Sequence, residues 1–470
     1  MSEVKVNKIS PRTNCGTVTL GDSGDTFTIP SGATIQNLGT STGFGGTGVV
    51  SWNTTKITAD PSPAVTGTGY FCDTSGGSFT VTLPASPSAG DVVGVSDYAK
   101  TFDTGNLTLG RNSEKIGGSA ADATISTEGI AITLVYVDST KGWIVTDSGN
   151  QSEAPDPSFV TATVSGACNT LITSGDFKTA IFKGPGTFCV SCAGNSAGSN
   201  TADYVIVASG GGGGSAGGGG GAGGFRLSNS VGCLPAPTMS PLVNPTGFSV
   251  AATPYPVVVG GAGTAGGAPN QGGGRGNVSS VFCVSSAGGG GSGGHGNQPP
   301  YPTILLPGGS GGGGGNENGA PGWGCGGTGN TPPVSPSQGN DGGDGGPPSD
   351  MGGSGGGAGA AGTPGTSGTG SAGGAGSFIN DAFFGPTAPS YGTPGPTGST
   401  RYFAGGGGSI YNAPTPGAGG AGGGGPGKEP TGSNGTTNTG GGGGASAWTL
   451  GTSAGGAGGS GIVMIRYKFQ

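Results

Sequence analysis

The chain has 470 residues, a formal net charge of −7 and only 8% charged residues, against 118 glycines and 35 prolines. No basic face is available for a polyanion, so no nucleic-acid partner is expected. No apolar run reaches the length of a bilayer-spanning helix, so no membrane insertion is expected either.

Length suggests roughly three domains, but composition divides the chain unevenly. Ninety of the 118 glycines lie between Gly210 and Gly461. Residues 1–68 read as a short β module, with Val4, Val6 and Ile9, and later Phe27 and Ile29, alternating with polar residues. The start Met1-Ser-Glu-Val-Lys-Val6 is strand-like and unlike a signal peptide. Residues 69–150 read as a small β domain. Ser78-Phe-Thr-Val-Thr-Leu83 alternates cleanly. Ile132–Val137 and Trp143–Thr146 flank Asp138-Ser-Thr-Lys-Gly142 as a hairpin. Residues 151–209 form a β connector with strands at Ala180–Phe182, Thr187–Val190 and Tyr204–Ala208. No segment has the pattern of an amphipathic helix.

Residues 210–470 follow a different grammar. Glycine runs alternate with segments rich in Pro, Asn, Ser and aromatics, chiefly Phe225–Val259, His295–Pro307, Asn316–Asp350, Ser377–Phe403 and Ser409–Pro416. High glycine without a strict period usually marks disorder or flexible linkers. Disordered chains, however, carry high net charge and few apolar residues. Here 31% of residues are hydrophobic, and the zone closes on the apolar strand Gly461-Ile-Val-Met-Ile-Arg-Tyr-Lys-Phe-Gln470. The expectation is that this strand pairs with Tyr204–Ala208 and that the glycine between them is ordered. Lacking Cβ atoms, extended glycine helices of three residues per turn can pack backbone to backbone, as at the axis of collagen. Their N–H and C=O groups would then pair sideways.

Several chemical motifs fail on inspection. Gly422-Gly-Gly-Gly-Pro-Gly-Lys428 fits a phosphate-binding loop until Glu429 replaces the Ser or Thr that would hold magnesium. Asn340-Asp-Gly-Gly-Asp-Gly-Gly346 is a single copy of a calcium-repeat-like motif that works in tandem, and reads as a tight turn. Cys189 and Cys192 have zinc spacing but no second pair, and a strand would point them to opposite faces. The eight cysteines form no disulfide framework. The only histidine, His295, looks like a loop surface residue. No carboxylate pair stands out for glycoside cleavage, although residues 69–150 are rich enough in acids to leave a depolymerase as a competing reading. No catalytic residue, metal site or cofactor is assigned. What remains is recognition: Tyr301, Trp323, Phe383, Phe384, Tyr391 and Tyr411 lie in the interruptions, with Trp448 beyond the last long run. Aromatics on rigid loops bring large area at low entropy cost. The competing role is to cap the apolar ends of the glycine zone.

Gly184-Pro-Gly-Thr-Phe188, Ala193–Gly210, Tyr402-Phe-Ala-Gly-Gly-Gly-Gly408 and Ala457–Tyr467 together resemble the glycine-rich domain of bacteriophage tail fibres and adhesins. Val4–Thr13, Gly21–Ile35 and Tyr136–Trp143 are similar to marine and cyanophage tail fibre proteins. The resemblance implies a mostly β protein: small N-terminal β modules, then a polyglycine II helix bundle closed by a C-terminal strand. It also implies a non-enzymatic virion protein, a tail appendage assembled in the host cytoplasm. Its loops would bind an outer-membrane protein or polysaccharide on the bacterial host. Residues 1–68 would attach it to other tail or baseplate proteins, and a homotrimer is expected. In the best-known adhesins the glycine-rich tip is a separate protein, whereas here it is fused to its stem. The alternative is a capsid or tail decoration protein without a receptor.

Overall fold

The computed structural model describes residues 9, 18–19, 50–151, 157–230, 234–267, 269, 271–295, 307–315, 324–346, 351–396, 398–410, 415–447 and 453–470. The expected strands around Val4, Val6, Phe27 and Ile29 lie outside these residues. Among the described residues the protein is mostly β, at 33% strand and 3% helix, with no closed barrel. It divides into two compact units, Met1–Pro155 and Asp156–Gln470.

Among the described residues of the first unit eight strands form two sheets. They are β1 (Ser51–Ile57), β2 (Thr68–Cys72), β3 (Phe79–Thr82), β4 (Val92–Asp97), β5 (Leu107–Gly110), β6 (Ala123–Ile125), β7 (Ile130–Asp138) and β8 (Gly142–Asn150). One sheet has the order β1-β2-β4-β7-β8 and the other β3-β5-β6. β7 and β8 make the expected hairpin, and Gly142 takes φ +68° where it ends the turn. Two features were not anticipated. β1 joins the sheet although it precedes residue 69, and β1-β2-β4 and β3-β5 pair in parallel. Alternate residues Tyr70, Cys72, Val93, Val95, Ile132, Leu134 and Tyr136 point into a core shared with Val81, Leu107, Leu109 and Trp143. Burial pushes the Cys72 thiol up to about 12, so this cysteine is a small core hydrophobe.

Lys56 donates to Asp73 at 2.6 Å. This bond, with two more from Ser75, holds the Asp73 carboxyl down to about 2, while Asp73 raises the Lys56 ammonium. A depressed carboxylate stabilises above its unfolded value, and that contribution is lost as pH falls toward the folded one. A raised ammonium stabilises below its unfolded value and loses this only at strongly alkaline pH. The first unit should therefore hold a flat stability plateau that falls on acidification below the usual carboxylate range. Asp73→Asn should flatten the acid limb slightly, since Lys56 is half exposed. Thermal unfolding of both proteins across acid pH checks this.

The second unit is built around one large sheet. After β9 (Thr161–Ser165) come β10 (Thr170–Ser174), β11 (Phe177–Phe182), β12 (Gly186–Cys192), β13 (Thr201–Val207) and β14 (Phe225–Ser228). The C-terminal strand Ile462–Lys468 lies between β11 and β13, antiparallel to both. The expected pairing of the two apolar strands is therefore present, with Tyr204 opposite Ile465 and Val207 opposite Ile462. Both faces of this sheet are buried. Ile181, Val205, Val207, Ile462 and Met464 face one core; Ala180, Phe182, Tyr204, Ile206, Val463 and Ile465 face the other.

Between the paired strands the glycine is ordered and buried, and residues 202–225 are buried without a break. Its hydrogen bonds repeat every third residue. Gly218, Gly221 and Gly224 donate to Gly293, Gly290 and Ala287. Gly219 and Ala222 donate to Gly353 and Gly356, and Gly220 and Gly223 to Gly443 and Gly440. The carbonyls mirror this. Gly218 and Gly221 accept from Gly214 and Gly211, Gly219 and Ala222 from Gly313 and Ser310, and Gly220 from Gly407. One glycine segment thus bonds laterally to six neighbours, some parallel and some antiparallel. Ordering glycine costs more backbone entropy than any other residue. Near-complete pairing offsets this, because each unmade buried hydrogen bond would cost about 1–3 kcal/mol.

The same period explains two motifs. Asp341 and Asp344, three residues apart, accept from the N–H groups of Gly329 and Gly326, both at 2.7 Å. They pin one segment to its neighbour, where a tight solvated turn had been expected. In the phosphate-loop-like stretch the N–H groups of Gly424, Gly425 and Gly427 donate to Gly420, Gly442 and Gly417, so these amides are already engaged.

Candidate binding surface

The hydrogen-bond register fixes which end of the glycine array each turn occupies. From β13 the chain leaves the sheet at Ala208 and turns at Ser215–Gly217, because Gly211 and Gly214 bond back to Gly221 and Gly218. Ser215 therefore marks the far end. Its N–H donates to Gln271 O and its hydroxyl to Ser453 O. Ser215 also bridges Ser446, which bridges Lys428. Thr431 bridges Ala454, and Thr369 bridges both Thr366 and Thr415. Gly345 donates to Gly324, and Gly346 pairs with Met351. The described residues flanking 316–323, 347–350, 411–414 and 448–452 all stand at this end.

The aromatic candidates separate accordingly. The described residues on either side of the segments that contain Trp323, Tyr411 and Trp448 stand at the far end. Tyr301 belongs to the segment between His295, at the far end, and Pro307, whose neighbour Gly308 donates to Thr328 near the sheet. Tyr301, Trp323, Tyr411 and Trp448 themselves lie outside the described residues. His295 is half-buried.

Phe383, Phe384 and Tyr391 are elsewhere and need correction. They sit at the sheet end, between the paired strands Ser377–Asn380 and Thr400–Phe403. Phe383 and Phe384 are each 1% exposed and Tyr391 is 7% exposed. Phe384 lies 5.6 Å from both the Phe383 and Tyr391 rings and 6.2 Å from Phe403. They cover one face of the large sheet, which without them would present Val205, Phe225 and Met464 to water. In this chain they are core, the competing role weighed above. A partial signal was available: where a glycine run crosses the array once, the interruptions before and after it fall at opposite ends, although the segment between His295 and Pro307 links the two ends. Phe384→Ala should lower stability by about 3–5 kcal/mol, the usual cost of emptying a buried aromatic site. Calorimetry of the two proteins checks this.

Cys189 is exposed and Cys192 half-buried, with a register shift between Val190 and Cys192. Cys192 shares a hydrogen bond of 3.5 Å with Ser158, which lowers its thiol. Among the described residues no cluster of three His, Cys, Asp or Glu side chains could hold a metal.

A mostly β protein whose strands clamp a laterally hydrogen-bonded glycine array is the class defined by this geometry. Residues 185–468 match the family model described as a glycine-rich domain. The match covers more than half of the chain, and the protein belongs to that glycine-rich domain family. A search of curated proteins finds no match.

Proposed function

We propose that this protein is a receptor-binding fibre component of a bacteriophage virion. In this reading the glycine segments are polyglycine II helices. The segments carrying Tyr301, Trp323, Tyr411 and Trp448 meet an outer-membrane protein or polysaccharide on the host. The N-terminal region joins other tail or baseplate proteins, and three copies assemble into the fibre. The protein works by adhesion, without catalysis or cofactor, as a tail appendage assembled in the host cytoplasm.

The observation that supports this most is that the described residues flanking 316–323, 347–350, 411–414 and 448–452 stand together at one end of the array. A segment bonded laterally to six neighbours holds the stems of its turns in place, and pre-organised stems lower the entropy cost of binding. The three-residue period of the bonds favours the helical reading, since a strand would repeat every two.

The test uses fluorescent full-length protein on a panel of bacterial cells and on the same protein with 411–414 and 448–452 replaced by Gly/Ser. Cell binding by the parent and its loss in the replaced protein, at unchanged thermal stability, is the expected result. A parent that decorates no cell, or a replaced protein that binds equally, would sink the reading.

A further inference from the structure

The strand Ile462–Lys468 lies inside the large sheet of the second unit. It fills the centre of the sheet, with six register pairs to β11 on one side and six to β13 on the other. Ile462, Val463, Met464, Ile465 and Tyr467 are all fully buried. This strand is the partner of both facing edges, that of β11 and that of β13, which would otherwise be open. An open edge accepts any strand of suitable pattern.

The slot is selective. The strand's buried charge, Arg466, stands directly opposite Asp203 and is 3% exposed. Its guanidinium lies 3.9 Å from the centre of the Phe177 ring. Asp203 is fully buried and accepts from the Ser228 hydroxyl at 3.0 Å and the Ser230 N–H at 2.7 Å. A one-residue slip would turn Arg466 to the other core and leave Asp203 facing an aliphatic residue. Recognition therefore combines backbone pairing on two edges with one buried charge that sets the register.

We propose that the channel between β11 and β13 is a strand-acceptor site, specific for the C-terminal strand whichever copy of this chain supplies it. Nothing in the channel depends on the covalent link: the strand is tied to its own unit through glycine segments and returns from some 250 residues away. Within one chain the link raises the effective concentration of the strand, which favours self-completion. Where copies are held side by side, a neighbour's strand meets the same two edges and the same Asp203, and a strand exchange needs no new contact. This inference concerns assembly and does not rest on the proposed receptor role.

The experiment uses the full chain with a protease site placed between Ala447 and Ser453. After folding and cleavage, the fragment 453–470 should remain bound through gel filtration. A brief pulse of mild denaturant with excess labelled peptide 453–470 should exchange label into the cut protein but not into the uncut one. The peptide carrying Arg466→Leu should be taken up roughly tenfold less, because it removes the guanidinium that stands opposite Asp203 and over the Phe177 ring. Immediate release of the fragment, no uptake of label, or equal uptake of a peptide with reversed sequence would each overturn the proposal.

Discussion

Substituting valine for Gly220 is expected to prevent the second unit from folding. A Cβ at this position would press into the carbonyl of Gly211, with the Gly212 oxygen 2.7 Å away. Both obstacles are backbone, so no rotamer change relieves them. The segments would have to part by more than an ångström. Gly220 donates to Gly443 and accepts from Gly407, and its neighbours Gly219 and Gly221 bond onward to Gly353 and Gly290. Breaking four to six such bonds in a dry interior would cost on the order of 5–15 kcal/mol, which is the whole stability of an ordinary domain. Gly261→Ala is the control. Gly261 is exposed and the nearest atom to an added Cβ is Asn277 Nδ2 at 3.9 Å. There the substitution should be neutral or stabilising by up to about 1 kcal/mol, through a less flexible unfolded chain. Soluble yield and calorimetric melting of the two variants check the contrast. Equal behaviour would mean that close backbone approach is not what holds the array.

The second large effect is expected from ending the chain at Gly461. The truncated protein should lose the structure of residues 156–461 while the first unit, with its own core around Leu107 and Trp143, keeps its fold. Burial of Ile462, Val463, Met464 and Ile465 alone contributes about 6–12 kcal/mol at the usual value per large apolar side chain. Removing them also opens both cores at once, because alternate residues of this strand serve opposite faces. Hydrogen exchange read along the chain is the measurement. Fast exchange across 202–225 beside slow exchange in β4 and β7 is the expected outcome. Preserved protection across 202–225 would show that the glycine array stands without its closing strand.

Much of this architecture could be read from residue order. The alternation in Ile132–Val137 and Trp143–Thr146 marked a hairpin, because an antiparallel pair with one wet face writes its period into local sequence. The two apolar strands bracketing the glycine were recognisable because neither could remain exposed. The parallel pairing of β1, β2 and β4 was not legible. It joins strands separated by other elements, and no local pattern records which edge a strand will meet.

The binding surface shows the same division. Composition determined that the long middle of the chain could approach itself backbone to backbone, since glycine alone permits it, and that little charge was available for chemistry. Which aromatics belong to the core and which belong to segments whose stems stand at the far end was decided only in three dimensions. Phe383, Phe384 and Tyr391 looked like Tyr411 in sequence, each an aromatic in a glycine-poor interruption. The register of the array sends one group back to the sheet, where an uncovered hydrophobic face must be buried, and places the stems of the other at the far end. That register is set by hydrogen bonds between segments up to some 250 residues apart, and such bonds leave no trace in the order of residues along any one of them.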